Sequence, residues 1–442
     1  MKFVQVDETA IRPAPLSEAS VIGWLHKNLF SSWLNALLTI ISLYIIYVTV
    51  VELWSWGITN AVWTAETRRE CFDISIDGAC WAGVTQWLDN FFYGRYPREE
   101  LWRVNLGGLM LILWMAPLWL PRVKGKIFIG LTTVFLYPFL AGYLFAGGDK
   151  GIFLQVMVSA AIVCLAANTL HSIIGMLSGR SLPEFLIRTL GKEKASDATQ
   201  RNILIGLLGI AFAVVFVGQM GTTAVIVPWT KWGGLFLTLV ISGIGIASAL
   251  PIGIILALGR RSKLPVIRVL CITFIELFRS VPLITVLFMA TTMLPLFLPE
   301  GIVLNKLVQV IIAVCLFSGC YMAETVRAGL QAVPKGQYEA AHTIGLGYFG
   351  MMSLIVMPQA LKLMIPNIVG SFIGLLKDTT LVSIIGLFDI LGMLRAISND
   401  VPWRGLHVEP LLFGASLFFI ICFVMSKYSR HLEAKLSAGN NH

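Results

Sequence analysis

Gln331-Ala332-Val333-Pro334-Lys335-Gly336-Gln337-Tyr338-Glu339-Ala340-Ala341-His342-Thr343-Ile344-Gly345-Leu346-Gly347 joins two long apolar segments, Leu307 to Ala328 and Asn367 to Met393. Pro334 suits the first turn of a helix, Gly345 and Gly347 suit its end, and a second short helix can follow from Tyr348 to Pro358. The stretch is therefore predicted to be an amphipathic helix-turn-helix elbow between two membrane-crossing segments.

Moving outward, apolar runs of similar length recur: Trp33 to Trp54, Leu106 to Leu120, Ile127 to Ala146, Ile152 to Leu177, Asn202 to Gly221, Gly234 to Leu258, Val281 to Leu298 and Leu411 to Met425. Backbone groups in hydrocarbon must be hydrogen-bonded within their own segment, so runs near 20 residues mean helices. The expected fold is an all-α polytopic membrane protein with about ten transmembrane helices. Composition agrees, at 57% hydrophobic and 13% charged over 442 residues, with mean hydropathy +0.81. A soluble chain of this length would be far more polar. The first run is longer than a signal-peptide core and lacks a small-residue cleavage site, so it is expected to remain as an anchor.

The net charge of +9 is spread between apolar runs and forms no stripe, which argues against nucleic acid. Basic clusters fall at Arg122, Lys124 and Lys126, at Arg180, Arg188, Lys192, Lys194 and Arg201, and at Arg260, Arg261, Lys263 and Arg268. Placing these on the cytoplasmic side puts both termini there too, with Lys427, Arg430 and Lys435 after the last span. Residues 178–201 then form a cytoplasmic connector with a short helix around Pro183 to Leu190, and residues 55–105 form a periplasmic loop. Cys71 and Cys80 in that loop are either a disulfide or two free thiols; the oxidising compartment and the neighbouring Trp56, Trp63, Trp81 and Trp87 favour a disulfide-closed lid. The remaining cysteines carry no metal spacing, and the six His form no i, i+4 pair, so metal chemistry is not expected.

Within the elbow, Glu339-Ala340-Ala341, three residues, Gly345, nine residues, Ile355, one residue and Met357-Pro358 resemble the EAA loop of ATP-binding-cassette import permeases. Met357 stands where leucine is usual, a near-isosteric change. Gly234 to Leu239, Leu256 to Ser262, Ile275 to Ile284 and Leu375 to Leu381 extend the resemblance, in order and spacing, to the permeases for polar amino acids. The resemblance covers about half the chain, roughly Trp232 to Leu436. It implies a type I importer permease core over residues 233–436, a coupling loop over 331–358, and a membrane extension over 1–232. That extension is most similar to one permease of the general L-amino-acid importers.

The same resemblance implies partners and roles. Glu339, Ala340, Ala341, Gly345, Ile355 and Pro358 would couple to a cytoplasmic ATPase dimer, which would hold ATP and Mg. A second permease, expected to be non-identical, and a periplasmic amino-acid-binding protein would complete an importer for polar or general L-amino acids in the bacterial inner membrane. The chain itself has no G-x-x-x-x-G-K-[ST] phosphate loop and no recognisable catalytic constellation, so it is expected to be a transport subunit without a cofactor. The alternative, a secondary transporter driven by an ion gradient, would need no such elbow.

Ionisable residues in or beside apolar runs are default functional candidates. Glu276 with Arg279, and Glu324 with Arg327, have i, i+3 spacing and read as structural ion pairs; the helix carrying the first is expected to lie at the interface and turn at Pro282 into the next span. Lys377-Asp378-Thr379-Thr380 interrupts the ninth apolar segment near its middle, where a broken helix could line a solute path. Asp378 could receive an ammonium and Lys377 a carboxylate. Equally, the two could pair locally or touch the second permease.

Overall fold

The computed structural model describes residues 21–120, 123, 126–149, 151–178, 197–219 and 223–437. Arg122, Lys124, Arg180, Arg188, Lys192, Lys194 and the helix expected over Pro183 to Leu190 lie outside them. Among the described residues the elements are helical, joined by a few isolated bridges. Backbone contacts divide the chain into two compact units, Met1–Gln86 with Asp400–Glu409, and Trp87–Asn399 with Pro410–His442.

The first unit holds α1 (Val21–Leu29), α2 (Trp33–Trp54), α3 (Arg68–Ile74) and α4 (Trp81–Gln86). Ser32 starts α2, its hydroxyl accepting from the Asn35 amide at 3.2 Å. No residue of α2 is buried, as suits a helix solvated by lipid. Beyond it, the Cys71 and Cys80 sulfurs lie at bonding distance with Cα atoms 5.8 Å apart, inside the range a disulfide requires. The Cys80 amide donates to Glu409 at 3.0 Å, and the Arg68 amide donates to the Pro402 carbonyl at 2.9 Å. Trp63 stacks on Trp81 with ring centroids 6.0 Å apart.

The second unit contains α5 (Leu88–Tyr93), α6 (Leu101–Trp119), α7 (Lys126–Ala146), α8 (Ile152–Ser178), α9 (Asp197–Gly218), α10 (Gly234–Arg260), α11 (Pro265–Ser280) and α12 (Leu283–Phe288). Next come α13 (Lys306–Ala332), α14 (Lys335–Thr343), α15 (Tyr348–Met351), α16 (Met357–Asp378), α17 (Ile390–Ala396) and α18 (Val408–Ser437), the last of which starts in the first unit. Helices α6 to α8 are tied by polar contacts: Trp114 Nε1 and Asn168 Nδ2 each donate to Thr132 Oγ1 at 3.2 Å. Such bonds join spans in lipid, where apolar side chains gain little by leaving one apolar medium for another.

Helices α10, α13 and α16 achieve the same by close approach. A Cβ added to Gly245 would meet Val314 at 2.9 Å, one on Gly253 would meet Met322 at 2.7 Å, and one on Gly329 would meet the Ala360 carbonyl oxygen at 2.6 Å. Buried Ala249, Ala257, Ala323 and Ala360 line the same seams. These contacts run α10 and α13 side by side in one direction, with α16 antiparallel to them.

Eight described helices are long and apolar enough to cross a membrane, and a ninth forms if the pair Pro265–Ser280 and Leu283–Phe297, bent by 107°, counts as one. The expected ten included a run from Asn202 to Gly221, whose described apolar part is the shorter helix Ile205–Gly218. The turn expected at Pro282 is the 107° bend. Two expectations need correction. Tyr348 to Pro358 is not a separate short helix: α15, a π-helical stretch Met352–Val356 and α16 run on as one span, Tyr348–Ser383. Lys377 and Asp378 accordingly lie at the end of that span instead of at a mid-helix break. The apolar residues after them serve a core and not lipid. Thr379–Ser383 tightens into a 3₁₀ turn, Gly386 takes φ +84°, and Val382, Ile385 and Leu387 bury themselves against α10 and α13 residues.

Replacing Gly329 by valine should drive a methyl group into the Ala360 carbonyl, costing about 1–3 kcal/mol. The purified protein should unfold at a lower temperature in a thermal-shift measurement. Gly108→Ala, where a Cβ would meet nothing within 4 Å, should leave the midpoint unchanged or slightly raised.

Candidate functional site

The elbow is α14 with the turn that follows it. Pro334 sits just before the first turn, and Gly345 closes the helix with φ +78°, a conformation that a Cβ would strain. Ala341 is wholly buried in a cluster with Ala257, Leu330, Met351 and Val356, and half-buried Ile355 packs against it. Tyr338 fastens the same face: its hydroxyl donates to the Leu330 carbonyl at 2.8 Å and accepts from Arg261 at 3.2 Å. Glu339 and Ala340 point the other way and are exposed. The Glu339 carboxylate makes no salt bridge among the described residues. Ile344, Tyr348, Phe349 and Leu354, in the turn and segment that follow, are exposed as well, Phe349 at 85%. Pro358 opens α16 and is also exposed.

Immediately behind the elbow, the two ion pairs expected from i, i+3 spacing form one network. Arg260, the last residue of α10, reaches both carboxylates, Glu276 at 3.0 Å and Glu324 at 2.6 Å. Arg327 contacts Glu324 at 2.7 Å and also bonds Gln331. Arg279 stands farther off, 3.8 Å from Glu276 and 3.9 Å from Glu324, over the ring of Tyr321. Glu324 is the most enclosed member, with its side chain 16% exposed.

Lys377 and Asp378 are exposed and share no salt bridge or hydrogen bond, while Thr379 and Thr380 bond back to the carbonyls of Leu376 and Lys377 at 2.8 and 2.7 Å. The four residues are adjacent in the chain and near no elbow residue. Among the described residues, no group of three or more His, Cys, Asp or Glu could hold a metal ion.

Three functional candidates escaped the sequence reading. Arg260 counted only as a topology charge, and nothing local to it signals a bridge between residues 16 and 64 positions away. Tyr338 lies inside the loop, and its local spacing signals no role. Asp389 was passed over inside an apolar run, where an ionisable group could have raised the signal. It is completely buried; Oδ1 caps α17 by accepting from the Gly392 amide at 2.9 Å, and Oδ2 has no hydrogen-bond partner among the described residues. Burial pushes its carboxyl up to about 7.

A family model described as "Binding-protein-dependent transport system inner membrane component" matches residues 249–438, a range that contains the elbow and the network. The inner membrane amino-acid ABC transporter permease protein YhdY of Escherichia coli (strain K12) is 37% identical, over 97% of this chain and 96% of that protein. The glutamate/glutamine/aspartate/asparagine transport system permease protein BztC of Rhodobacter capsulatus is 38% identical, over 98% of each. A crystal structure of an amino acid ABC transporter with histidines aligns with 46% of this chain and 92% of its own at 29% identity, TM-score 0.42. The chain belongs to the binding-protein-dependent inner membrane permeases, and within them to the amino-acid ABC importer permeases. It is a multi-pass inner membrane protein, and nothing in these likenesses supports the ion-gradient alternative.

Asp389 gives a pH signature. Its folded value near 7 lies above the ordinary 3.8, so the native state holds the proton more tightly. The resulting stabilisation is full below about pH 4 and is lost as pH rises through about 7, a change on the order of 4 kcal/mol. Thermal unfolding at pH 5 and pH 8 should show the lower midpoint at pH 8. Asp389→Asn, neutral and still able to cap, should flatten that difference.

Proposed function

We propose that the elbow carries the stroke of a cytoplasmic ATPase dimer into the membrane helices, and that this chain forms the solute path with a second permease. The observation that carries the reading is the two-sidedness of α14. Ala341 and Tyr338 lock one face of α14 to the end of α10 and to α13, while Glu339 and Ala340 on that helix, and the apolar Ile344, Tyr348, Phe349 and Leu354 in the turn and segment after it, are exposed. A helix that served only the chain's own packing would not leave so much apolar surface beside an unpaired carboxylate. ATP and Mg belong to the partner ATPase, and a periplasmic binding protein delivers the solute.

The elbow lies in the cytoplasm with both termini, and the loop 55–105 with Cys71 and Cys80 lies in the periplasm, where oxidation would keep the bridge closed. The substrates are polar L-amino acids, a class supported by the glutamate, glutamine, aspartate and asparagine in the name of the full-length relative BztC. On α16, Gly370 and Gly374 are one turn apart, and a Cβ on either would meet nothing within 4 Å. That open small-residue face supports close packing of a second, non-identical permease. Lys377 and Asp378 continue it at the end of the span, where their opposite charges suit an ammonium and a carboxylate entering the path.

Two experiments test this. Glu339→Lys and Gly345→Pro should leave the permease in the membrane yet abolish both copurification of the ATPase and amino-acid uptake. Normal binding and uptake by both would remove the coupling role. Separately, Asp378→Asn should lower binding-protein-dependent uptake by roughly tenfold, the scale of one lost charged contact, with ATPase docking intact. Unchanged uptake would exclude a required solute contact at Asp378.

A further inference from the structure

The ion network behind the elbow does more than hold helices together. Three guanidiniums and two carboxylates meet where α10, α11 and α13 end, and they are unequally shared. Elbow, α10 and α13 already form one body, because Tyr338 is bonded to Arg261, which caps α10, and to Leu330 of α13, and because glycine seams hold the two long helices together. The arm formed by α11 and α12 is different. It leaves α10 through Arg261–Leu264, packs on the body through buried Ile275 of α11 and through Leu283, Val286 and Leu287 of α12, and bends by 107° between the two helices. Its shortest polar tie to the body is Arg260, which bonds Glu276 of α11 and Glu324 of α13 through the same Nη1, beside the looser contacts of Arg279 with Glu324 and the Tyr321 ring. Arg279, on the arm itself, stands farther off, at 3.8 Å from Glu276 and 3.9 Å from Glu324.

We propose that Arg260 is a positioning residue that transmits elbow movement to the bent α11–α12 arm, so that ATP hydrolysis and solute passage stay coupled. The inference rests on the coupling role proposed for the elbow. If the elbow body turns, the Arg260–Glu276 bond draws the last turn of α11 with it, and the bend at Val281–Pro282 converts that displacement into a reorientation of α12. Without the bond the ATPase can still dock and cycle on the elbow, because the exposed face of α14 is untouched. The arm then no longer follows.

The test uses the full complex in proteoliposomes, with ATP hydrolysis and amino-acid uptake measured on the same preparation. Arg260→Gln should keep binding-protein-stimulated hydrolysis within about twofold while uptake per ATP falls roughly tenfold, a coupling loss of ordinary size for linked sites. Glu276→Gln should shift uptake per ATP in the same direction; its side chain is 52% exposed, so folding does not depend on its burial. A structural role would lower assembly, hydrolysis and uptake together and leave their ratio unchanged, and that outcome overturns the proposal. Should Arg260→Gln fail to assemble, Glu276→Gln decides alone: an unchanged ratio rejects transmission through this bond. Glu339→Lys measured alongside separates the two readings. Loss of uptake there, with a normal ratio in Arg260→Gln and Glu276→Gln, rejects only transmission through Arg260, whereas normal uptake by Glu339→Lys rejects the elbow itself.

Discussion

Close backbone approach between α10 and α13 is the constraint on which the rest of the second unit depends. In a bilayer, helices gain little from burying one apolar side chain against another, so association relies on van der Waals fit and on polar contacts. Gly245, Gly253 and Gly319 each sit where a Cβ would collide with a neighbouring side chain, and Gly329 lies against the backbone of α16. The seam sets the register of α10 against α13, and the register decides which residues meet at the ends. Arg260 arrives beside Glu324, and Arg261 arrives beside Tyr338. A shift of one turn would separate both pairs by about 5 Å.

The charges at that end are affordable because they are shared. A partly enclosed carboxylate such as Glu324 would be costly alone, and two direct guanidinium partners offset its desolvation. Nearby Glu276 is half-exposed and gains less from each contact. The network therefore has a firm centre on α13 and a looser edge on α11, while the elbow beside it has one face bound into the core and one face open. Rigid backing behind an exposed surface is what a force-transmitting contact needs, since a soft support would absorb the displacement.

Asp389 shows a different economy. It spends one oxygen on capping α17 and buries the other without a hydrogen-bond partner among the described residues, beside a turn in which the Phe388 carbonyl accepts from the Gly234 amide. Burial raises its carboxyl toward the neutral form, which lessens the cost of a buried anion. The neighbouring apolar residues Val382, Ile385 and Leu387 fill the core there. An apolar run in a membrane protein can thus face protein as easily as lipid, and hydropathy does not distinguish the two.

The sequence by itself determined the class of fold, because apolar runs of bilayer length must be helices, and it determined the first helix and turn of the elbow, though not its second helix, because Pro334 and Gly345 restrict the backbone locally wherever the chain goes afterwards. It also marked Glu276, Arg279, Glu324 and Arg327, since i, i+3 neighbours follow from helix geometry alone. Only the tertiary structure decided that these four share one cluster with Arg260, that Ala341 faces inward and Glu339 outward, and that Lys377 and Asp378 end a span instead of breaking one. Those outcomes depend on contacts between residues far apart in the chain, set by the glycine seams between helices. Local spacing and hydropathy carry no record of which helix a given face will meet.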